Sequence, residues 1–306
     1  MKVLIVGLGS IAKRHIEAIR LLDSNIDIFV LRSSTNSVPF DGVKNIYSFD
    51  EFEGIPDFVI ISNPTYLHHQ TILDVLHFKC PLFIEKPVIS NLDFSNELLK
   101  KIDHLGIINY VACNMRFHPS IQFIKAYLFQ HDPRINEVNI YCGSYLPDWR
   151  PGVNYKDVYS AKNEMGGGVH LDLIHELDYC TWIFGFPLRK KARFSSISSL
   201  EIGSTDNACY WFEYSTYNIN VTLNYYRRDA KRCIEIITDR ETIVVDLLKN
   251  KVTSSILGDL FSAEEFNIFE TYFSQIKYFI NQIKLGNKTM NDINKGIKVL
   301  KLAINE

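Results

Sequence analysis

The first turn of the chain constrains its fold more than any other stretch. The apolar run 3–6 predicts a buried strand, the segment Gly7-Leu8-Gly9-Ser10-Ile11-Ala12 a tight turn, and residues 12–22 a helix. In such a unit the first glycine permits the turn, the second lets a pyrophosphate approach, and a small third residue allows close helix packing. The helix N-terminus adds free N–H groups and a partial positive charge. We therefore predict a dinucleotide site that consists of Gly7, Gly9, Ser10, Ile11 and Ala12. The alternative is a plain tight turn between a strand and a helix.

The length and composition of the chain are those of a two-domain globular protein. Its 306 residues exceed one typical core, and 46% hydrophobic with 22% charged residues is ordinary for this class. The formal net charge of −2 gives no global reason to expect nucleic acid or membrane as a partner. No apolar run reaches the roughly 20 residues that span a bilayer, and no signal-peptide pattern precedes the first strand. We therefore predict a cytoplasmic protein that binds neither nucleic acid nor membrane.

Cysteine and histidine spacing favours neither disulfides nor a metal site. The six cysteines are scattered without a CxxC pair, which is typical of reduced thiols. His170, Asp172 and His175 are close in sequence but lack the HExxH spacing and a nearby cysteine pair. We therefore predict no bound metal.

Short apolar runs alternate with helical patterns through the first third of the chain. Strands are predicted at 25–31, 43–47, 57–62, 81–84 and 107–113. Such alternation predicts a parallel, doubly wound sheet with an N-terminal Rossmann topology. No linker rich in Gly, Ser or Pro follows, so the junction is predicted to be packed. We predict a nucleotide-binding domain at 1–118 and a substrate and oligomerisation domain at 119–306, allowing for a C-terminal helix that packs back on the first domain.

Polar residues follow the second predicted strand, where such folds read the adenine ribose. An acidic residue there accepts hydrogen bonds from a 2′-hydroxyl, whereas an arginine accommodates a 2′-phosphate. This chain has Arg32, followed by Ser33 and Ser34. We therefore predict NADP in preference to NAD, the alternative being an ordinary loop with a solvated arginine.

The next two strands also end in polar residues, at the edge where open α/β sheets bind ligands. Asn63 and Pro64 follow one strand, Thr65 is predicted to cap the helix at 66–78, and His68 lies in its first turn. His68 is predicted to line the site, although a surface or capping histidine is the common alternative. The following strand ends in Glu85-Lys86-Pro87, where the proline holds Lys86 as a placed cation suited to acid–base work.

Taken in order, these motifs resemble the Gfo/Idh/MocA family of nicotinamide-dependent oxidoreductases. The resemblance rests on Gly7-x-Gly9-x-x-Ala12, Asn63-Pro64-x-x-x-His68 and Glu85-Lys86-Pro87. It extends to the segment 114–119, which is similar to the family's interdomain junction, and to Gly166-Gly167-Gly168 followed by Asp172 and His175. It therefore spans nearly the whole chain.

The resemblance implies a set of roles for individual residues. Lys86, Asp172 and His175 are the implied catalytic residues, with Lys86 and His175 handling the proton and binding the hydroxyl group. The implied cofactor contacts add Arg32, Ser33, Ser34, Asn63, Pro64, His68, Glu85, Lys86 and Arg116. The implied substrate contacts are Lys86, Arg116, Trp149, Arg150, Tyr155, Asp172 and His175. In the family the histidine often stands four residues after the aspartate, whereas here the spacing is three, which leaves Glu176 as an alternative for its role.

The second domain is predicted to be α+β, with a large, mostly antiparallel open sheet. Its runs predict a helix at 120–129, a strand at 136–144 and five further strands at 190–195, 206–214, 219–226, 233–238 and 241–246. Alternating aromatic and polar residues at 210–226 predict an apolar sheet face through which the chain forms a homodimer or homotetramer. A single helix at 169–184 is predicted to carry Asp172, His175, Glu176 and Tyr179 on one face, which the resemblance assigns to catalysis and which is otherwise an ordinary solvated face. Ser262-Ala263-Glu264-Glu265 predicts a capping box for a long helix that Gly286 ends.

The segment 145–164 is irregular and mixes aromatic with cationic residues. Aromatic faces suit sugar rings, and Arg150 or Lys156 would pair with a carboxylate or phosphate, although a hydrophobic plug over the sheet explains the same residues. We expect a hydride transfer between NADP or NAD and a secondary alcohol or ketone of a carbohydrate-like substrate: a sugar, sugar acid or nucleotide sugar. The alternatives are a nicotinamide-dependent glycosidase that uses transient oxidation and a non-catalytic cofactor-sensing or assembly protein.

Overall fold

The N-terminal residues build a sheet of six parallel strands in the order β3-β2-β1-β4-β5-β6. A computed structural model describes residues 1–36 and 38–306, and its contacts divide them into two units, 1–114 with 268–298 and 115–267 with 299–306. The strands of the first unit are β1 Lys2–Val6, β2 Asp27–Leu31, β3 Lys44–Ile46, β4 Phe58–Ile61, β5 Leu82–Glu85 and β6 Asn109–Ala112. Its helices are α1 Ser10–Leu22, α2 Thr65–Val75, α3 Ser95–Leu105 and α7 Phe269–Leu285. The strand order reverses between β1 and β4, so their carboxyl ends form the edge at which such sheets bind ligands.

The central strands of this sheet are covered on both faces. Val3, Leu4 and Ile5 are fully buried, as are the four residues of β4. On one face α7 packs against α1 and the sheet, with the Phe279 ring 5.5 Å from both Phe58 and Phe83. Burial on both faces is the reason these strands are continuous apolar runs.

The second unit is built on a sheet of eight strands in the order β14-β13-β12-β11-β7-β10-β9-β8. Among the described strands of this second sheet, only the β7–β10 pair is parallel, and the other pairs are antiparallel. The strands are β7 Ile135–Tyr145, β8 Arg189–Ser195, β9 Asn207–Glu213, β10 Asn218–Asn224, β11 Tyr226–Thr238, β12 Thr242–Asp246, β13 Lys251–Ser254 and β14 Gly258–Ser262. The helices α4 Pro119–His131, α5 Val169–Asp172 and α6 His175–Phe184 belong to this unit, and α8 Ile293–Ala303 begins in the first unit and ends in the second. The predicted fold class, a Rossmann sheet with a mostly antiparallel second sheet, is confirmed.

The single helix predicted at 169–184 is wrong. Leu173 leaves helical geometry, with φ −97° and ψ 28°, so that Asp172 ends α5 and His175 begins α6. Glu176 and Tyr179, predicted on the same face as Asp172 and His175, are both fully buried. The spacing predicts one continuous helical face, but the chain turns between Asp172 and His175.

The predicted capping box is also wrong. Ser262 is the last residue of β14, and α7 begins only at Phe269, after Ile268 at its N-cap. Pairing of β14 with β13 outweighs the local capping signal. Thr65 is the first residue of α2 instead of its cap, while Gly286 ends α7 with a φ of +65° as predicted.

One face of the second sheet is apolar and buried in the core at β9 and β10, whereas the opposite face mixes aromatic with polar residues. Tyr210 and Phe212 are buried in the core, whereas Trp211, Asn220 and Thr222 are half-buried on the opposite face. Assembly through this face stays a prediction. Within the described ranges no helix is long and apolar enough to cross a membrane.

Candidate active site

The glycine turn packs against the end of the neighbouring strand. Gly7 has a φ of +88°, and its N–H donates to the Leu31 carbonyl at 3.0 Å. A Cβ on Gly7 would lie 2.8 Å from Asn63 Cα, which no side chain could tolerate. A Cβ on Gly9 would meet no atom within 4 Å. Packing therefore requires a glycine at residue 7. At residue 9 packing requires none, and the absence of a side chain there leaves the approach to the N-terminus of α1 open.

The other predicted residues of the turn form the start of α1. Gly9 is the N-cap, Ser10 is exposed in the first turn, Ile11 is half-buried and Ala12 is fully buried against the sheet. A small residue at position 12 lets α1 lie close to β1, as the motif predicts.

Arg32 lies directly after β2 and has its guanidinium held in place. Its Nη1 donates to Asn45 Oδ1 at 2.7 Å and to the Val38 carbonyl at 3.2 Å. The following residues, Ser33 and Ser34, are exposed. Both partners of Arg32 are neutral, so its positive charge is not cancelled by these contacts.

His68 is buried beneath the two loops that follow β4 and β5. Its Nε2 lies 2.9 Å from the Asn63 carbonyl and its Nδ1 3.0 Å from the Pro87 carbonyl. Burial lowers the pKa of His68, so the ring is neutral at pH 7 and donates to one of these carbonyls at a time. The side chain of Asn63 donates to Thr71 Oγ1 at 2.7 Å, and Pro64 is exposed. The structure thus places His68 as a link between the loops, 1% exposed, instead of on their surface.

Glu85 and Lys86 end β5 next to these loops. One oxygen of the Glu85 carboxylate lies 2.6 Å from His15 Nε2, and the other accepts the Lys86 backbone N–H at 3.2 Å. His15 is fully buried on α1, so it connects the helix of the glycine turn to the strand that carries Lys86. Lys86 itself is half-buried, and the bond to Pro87 is cis. Sequence reasoning missed His15, although its place among the apolar residues of α1 was a usable signal.

In the second unit, a close backbone approach precedes Asp172. A Cβ on Gly167 would lie 2.1 Å from the Tyr159 carbonyl and 2.7 Å from the Lys162 carbonyl. The glycine run therefore lets the start of α5 pack on the irregular segment, which contains four 3-10 turns between Leu146 and Met165.

Two tyrosines hold the Asp172 carboxylate. Tyr159 donates to Oδ1 at 2.8 Å and Tyr225 to Oδ2 at 2.6 Å. Burial, followed by the charge of Asp172, raises the pKa of both phenols, so both remain protonated donors at neutral pH. Tyr225 was missed because it is separated from Asp172 by 53 residues. Asp172 is 8% exposed, and its two oxygens are oriented by these hydroxyls.

The predicted substrate residues of the irregular segment surround these tyrosines in part. The Trp149 ring stands edge-on to Tyr225 at 5.3 Å, and the Arg150 guanidinium lies 5.4 Å from the centre of the Tyr159 ring. Both side chains are exposed. Tyr155 instead donates to the Leu200 carbonyl at 3.1 Å, which ties the segment to the loop before β9. The structure thus brings Trp149 and Arg150, but not the hydroxyl of Tyr155, to the tyrosines that hold Asp172.

Four charged residues near His175 form two ion pairs. Arg116 is 3% exposed and donates from Nε and Nη2 to Asp178 at 2.8 and 2.7 Å. Arg232 Nε donates to Glu176 Oε1 at 2.6 Å, and Glu176 is fully buried. Glu176, considered as a substitute for His175, is therefore committed to Arg232. His175 is half-buried at the start of α6.

Among the described residues, no group of three or more His, Cys, Asp or Glu side chains is arranged to hold a metal ion. In each unit, taken by itself, the candidate residues are single polar groups on different elements. A backbone cradle stands at the edge of the first sheet, and an oriented carboxylate and an imidazole stand in the second unit. Such groups bind and transfer protons but supply no hydride, which requires a cofactor.

Comparison with known proteins identifies the first unit. Residues 1–112 match the model of the Gfo/Idh/MocA oxidoreductase family, NAD-binding Rossmann fold. The chain is 26% identical over 219 residues to the uncharacterized oxidoreductase YrbE of Bacillus subtilis, covering 67% of this chain and 61% of that protein. It is 22% identical to the myo-inositol 2-dehydrogenase of Thermotoga maritima, across 94% of this chain and 89% of that one.

The fold of the whole chain is shared with solved structures. The WlbA dehydrogenase of Bordetella pertussis, in complex with NADH and UDP-GlcNAcA, superposes with a TM-score of 0.81 at 16% identity, covering 99% of this chain and 94% of that one. This likeness shows the fold. Residues 1–112 are therefore similar to the NAD-binding domain of the Gfo/Idh/MocA oxidoreductases, and the chain as a whole shares the fold of the WlbA dehydrogenase.

Proposed function

We propose that the chain is an NADP- or NAD-dependent dehydrogenase that interconverts a secondary alcohol and a ketone on a carbohydrate-like substrate. The carboxyl edge of the first sheet carries this proposal. There the glycine turn after β1, Asn63 after β4 and Lys86 after β5 follow three strands that are neighbours in one parallel sheet. That edge combines a dinucleotide cradle with a cation suited to proton transfer.

The residues of the turn fit a dinucleotide. The N-terminus of α1 has Gly9 at its N-cap, and a side chain there would meet no protein atom within 4 Å. Ser10 and Ile11 begin the helix whose N–H groups would bind the pyrophosphate, and Asn63 with Pro64 would flank the nicotinamide end. When bound, the nicotinamide supplies or accepts the hydride.

Gly7 and Gly9 are expected to respond differently to substitution. Gly7→Ala is expected to destabilise the fold by about 1–3 kcal/mol, because the residue has a positive φ and faces the Asn63 backbone. Gly9→Asn keeps a good N-cap residue, so stability is expected to stay near that of the wild type while cofactor affinity falls by about 10-fold or more. Thermal unfolding and cofactor fluorescence measure the two effects. Unchanged affinity in Gly9→Asn would contradict the placement of the pyrophosphate.

In the proposed mechanism, each residue handles a proton or orients the substrate. Lys86 gives or takes the proton of the reacting hydroxyl group, a contribution of the kind that is worth about 10²–10⁴ in rate. Asp172, oriented by its two tyrosines, accepts a hydrogen bond from a substrate hydroxyl, and His175 binds the hydroxyl or shares its proton. Glu85 and His68 act behind them by fixing the ends of β5 and β4.

The exposed residues next to Asp172 support a sugar with an anionic group. Trp149 offers an aromatic face to a ring, and Arg150 offers a cation above Tyr159. Arg116 is neutralised by Asp178, so Arg150 is the cation in the second unit best placed for a carboxylate or phosphate. The complex of WlbA with UDP-GlcNAcA agrees with a sugar that carries anionic groups, whereas the myo-inositol 2-dehydrogenase supports a carbohydrate-like substrate only in general.

A screen tests this function. The purified chain is mixed with NADP or NAD and with sugars, sugar acids, polyols and nucleotide sugars, and the absorbance of the reduced cofactor is followed. Formation of reduced cofactor with at least one carbohydrate is expected. Chromatography of the same mixtures separates the alternatives: cleavage of a glycoside without net reduction indicates the glycosidase, and cofactor binding without any product indicates a sensing protein.

Arg32 is expected to set the preference for NADP. Arg32→Asp replaces the cation with an acceptor for a 2′-hydroxyl, so the ratio of NADPH to NADH affinity is expected to fall by about 10-fold or more. Titration of the fluorescence of both reduced cofactors measures that ratio. Arg189→Asp, at an exposed arginine of β8, is the control and should leave it unchanged. An unchanged ratio in Arg32→Asp would remove Arg32 from cofactor selection.

A further inference from the structure

Two ion pairs hold the first turn of α6, which begins at His175: Arg116–Asp178 is buried on both sides, whereas Glu176 is buried and its partner Arg232 is 21% exposed. Glu176 and Asp178, at 0% and 1% exposure, are the carboxylates of these pairs. Glu176 is bound by Arg232 of β11 and Asp178 by Arg116 of the 3-10 segment Asn114–Phe117. The helix is thus fixed to two separate elements, one and three residues after His175.

Stability alone does not account for the Glu176–Arg232 pair. Removing two charges from water is costly, and apolar residues of similar volume often serve as well or better. Glu176 Oε2 and Arg232 Nη2 also have no hydrogen-bond partner in the described part of the protein, and unsatisfied buried atoms add to the cost. The same face of β11 is apolar beyond Arg232, where Ile234 and Ile236 are fully buried, so an apolar pair would suit the surroundings.

The break before α6 explains what the pairs do. Because the chain turns at Leu173 and Ile174, the orientation of His175 is not set by a continuous helix from α5. Asp172, on the other side of the turn, is held by Tyr159 and Tyr225. The two sides of the turn are therefore held independently. Tyrosine hydroxyls hold Asp172 on one side, and arginine side chains hold the start of α6, which carries His175, on the other.

We infer that Arg232 and Arg116 are positioning residues for His175: they fix the first turn of α6 so that the imidazole keeps its orientation relative to Asp172. His175 is a catalytic residue only under the proposed function, and to that extent the inference rests on it. Neither arginine is expected to touch the substrate or the cofactor.

The test replaces the Glu176–Arg232 pair by apolar residues and follows both turnover and the histidine itself. Glu176→Leu with Arg232→Met is expected to fold, to lower kcat by about 10- to 100-fold and to change KM much less, since small misplacements of catalytic groups act on the reacting geometry. The single variant Arg232→Lys keeps both charges of the pair. Its kcat is expected to lie much closer to that of the wild type than the kcat of the double variant does. The matched control is Ile236→Ala, which removes a fully buried side chain of the same strand while keeping Glu176 and Arg232, and should leave kcat unchanged.

A second readout needs no substrate. The NMR signal of the His175 ring, assigned by its loss in His175→Gln, is expected to shift in the double variant while that of exposed His77 stays in place. If the double variant does not fold, Glu176→Gln is measured in the same way, with the same expectation. A His175 signal and a kcat both equal to those of the wild type would overturn the inference. If the wild type turns over no substrate, the proposed function fails, and the His175 signal alone decides the role of the arginines.

Discussion

Lys86→Met is expected to lower kcat by about 10²–10⁴-fold while leaving cofactor affinity within about two-fold of the wild type. Methionine keeps the length of the side chain but removes the group that gives or takes the proton. The backbone at this position should be unaffected, because Glu85 accepts the Lys86 main-chain N–H, which the substitution keeps. The loss should therefore fall on the chemical step.

Steady-state kinetics on a substrate found in the screen measure kcat, and the fluorescence of the reduced cofactor measures its Kd. The control is Lys100→Met, at an exposed lysine of α3, which should behave as the wild type. Turnover of Lys86→Met at the level of this control would remove Lys86 from the mechanism. A loss of cofactor binding would instead assign Lys86 a role in binding.

Asp172→Asn is expected to lower kcat by about 10²-fold or more with a modest loss of stability, about 1–3 kcal/mol. Each tyrosine hydroxyl donates to a different oxygen of Asp172, so in the amide one of them faces an NH2 group and must turn from donor to acceptor. The variant thus loses the charge and reverses one of the bonds that orient the group.

Tyr159→Phe and Tyr225→Phe separate orientation from charge. Each removes one hydroxyl and keeps the carboxylate, so a smaller fall in kcat than in Asp172→Asn is expected. Asp259→Asn, at an exposed carboxylate paired with Lys251, is the matched control for the substitution itself. Wild-type turnover in Asp172→Asn would contradict the role of Asp172 as a hydroxyl acceptor.

The first unit could be predicted well because its signals are local. Continuous apolar runs such as those of β1 and β4 belong to strands buried on both faces, and the glycine turn marks where a strand meets a helix. The cradle of the candidate site lies in these same local motifs. The sequence allows for a C-terminal helix on this unit but does not single out α7, whose place depends on contacts such as Phe279 with Phe58, 221 residues apart.

The partners of Asp172 and Glu176 in the second unit could not be predicted because these contacts are long-range. Nothing near Asp172 in the sequence indicates Tyr225, and nothing near Glu176 indicates Arg232, which is 56 residues away. The turn between α5 and α6 contains leucine and isoleucine instead of glycine or proline, so no local signal marks it. The sequence therefore predicts ligand binding for Arg116 and a catalytic alternative for Glu176, because it does not indicate the partners, Asp178 and Arg232, that neutralise their charges.

A single-turnover experiment measures the proposed hydride transfer from a carbohydrate to the nicotinamide directly. The chain is mixed rapidly with oxidised cofactor and a carbohydrate substrate, and the absorbance of the reduced nicotinamide is recorded for the wild type and for Lys86→Met. We predict a rapid rise for the wild type and, in Lys86→Met with cofactor bound, a rise slower by about 10²–10⁴-fold. A wild-type chain that binds the cofactor but produces no reduced nicotinamide with any carbohydrate would contradict the account.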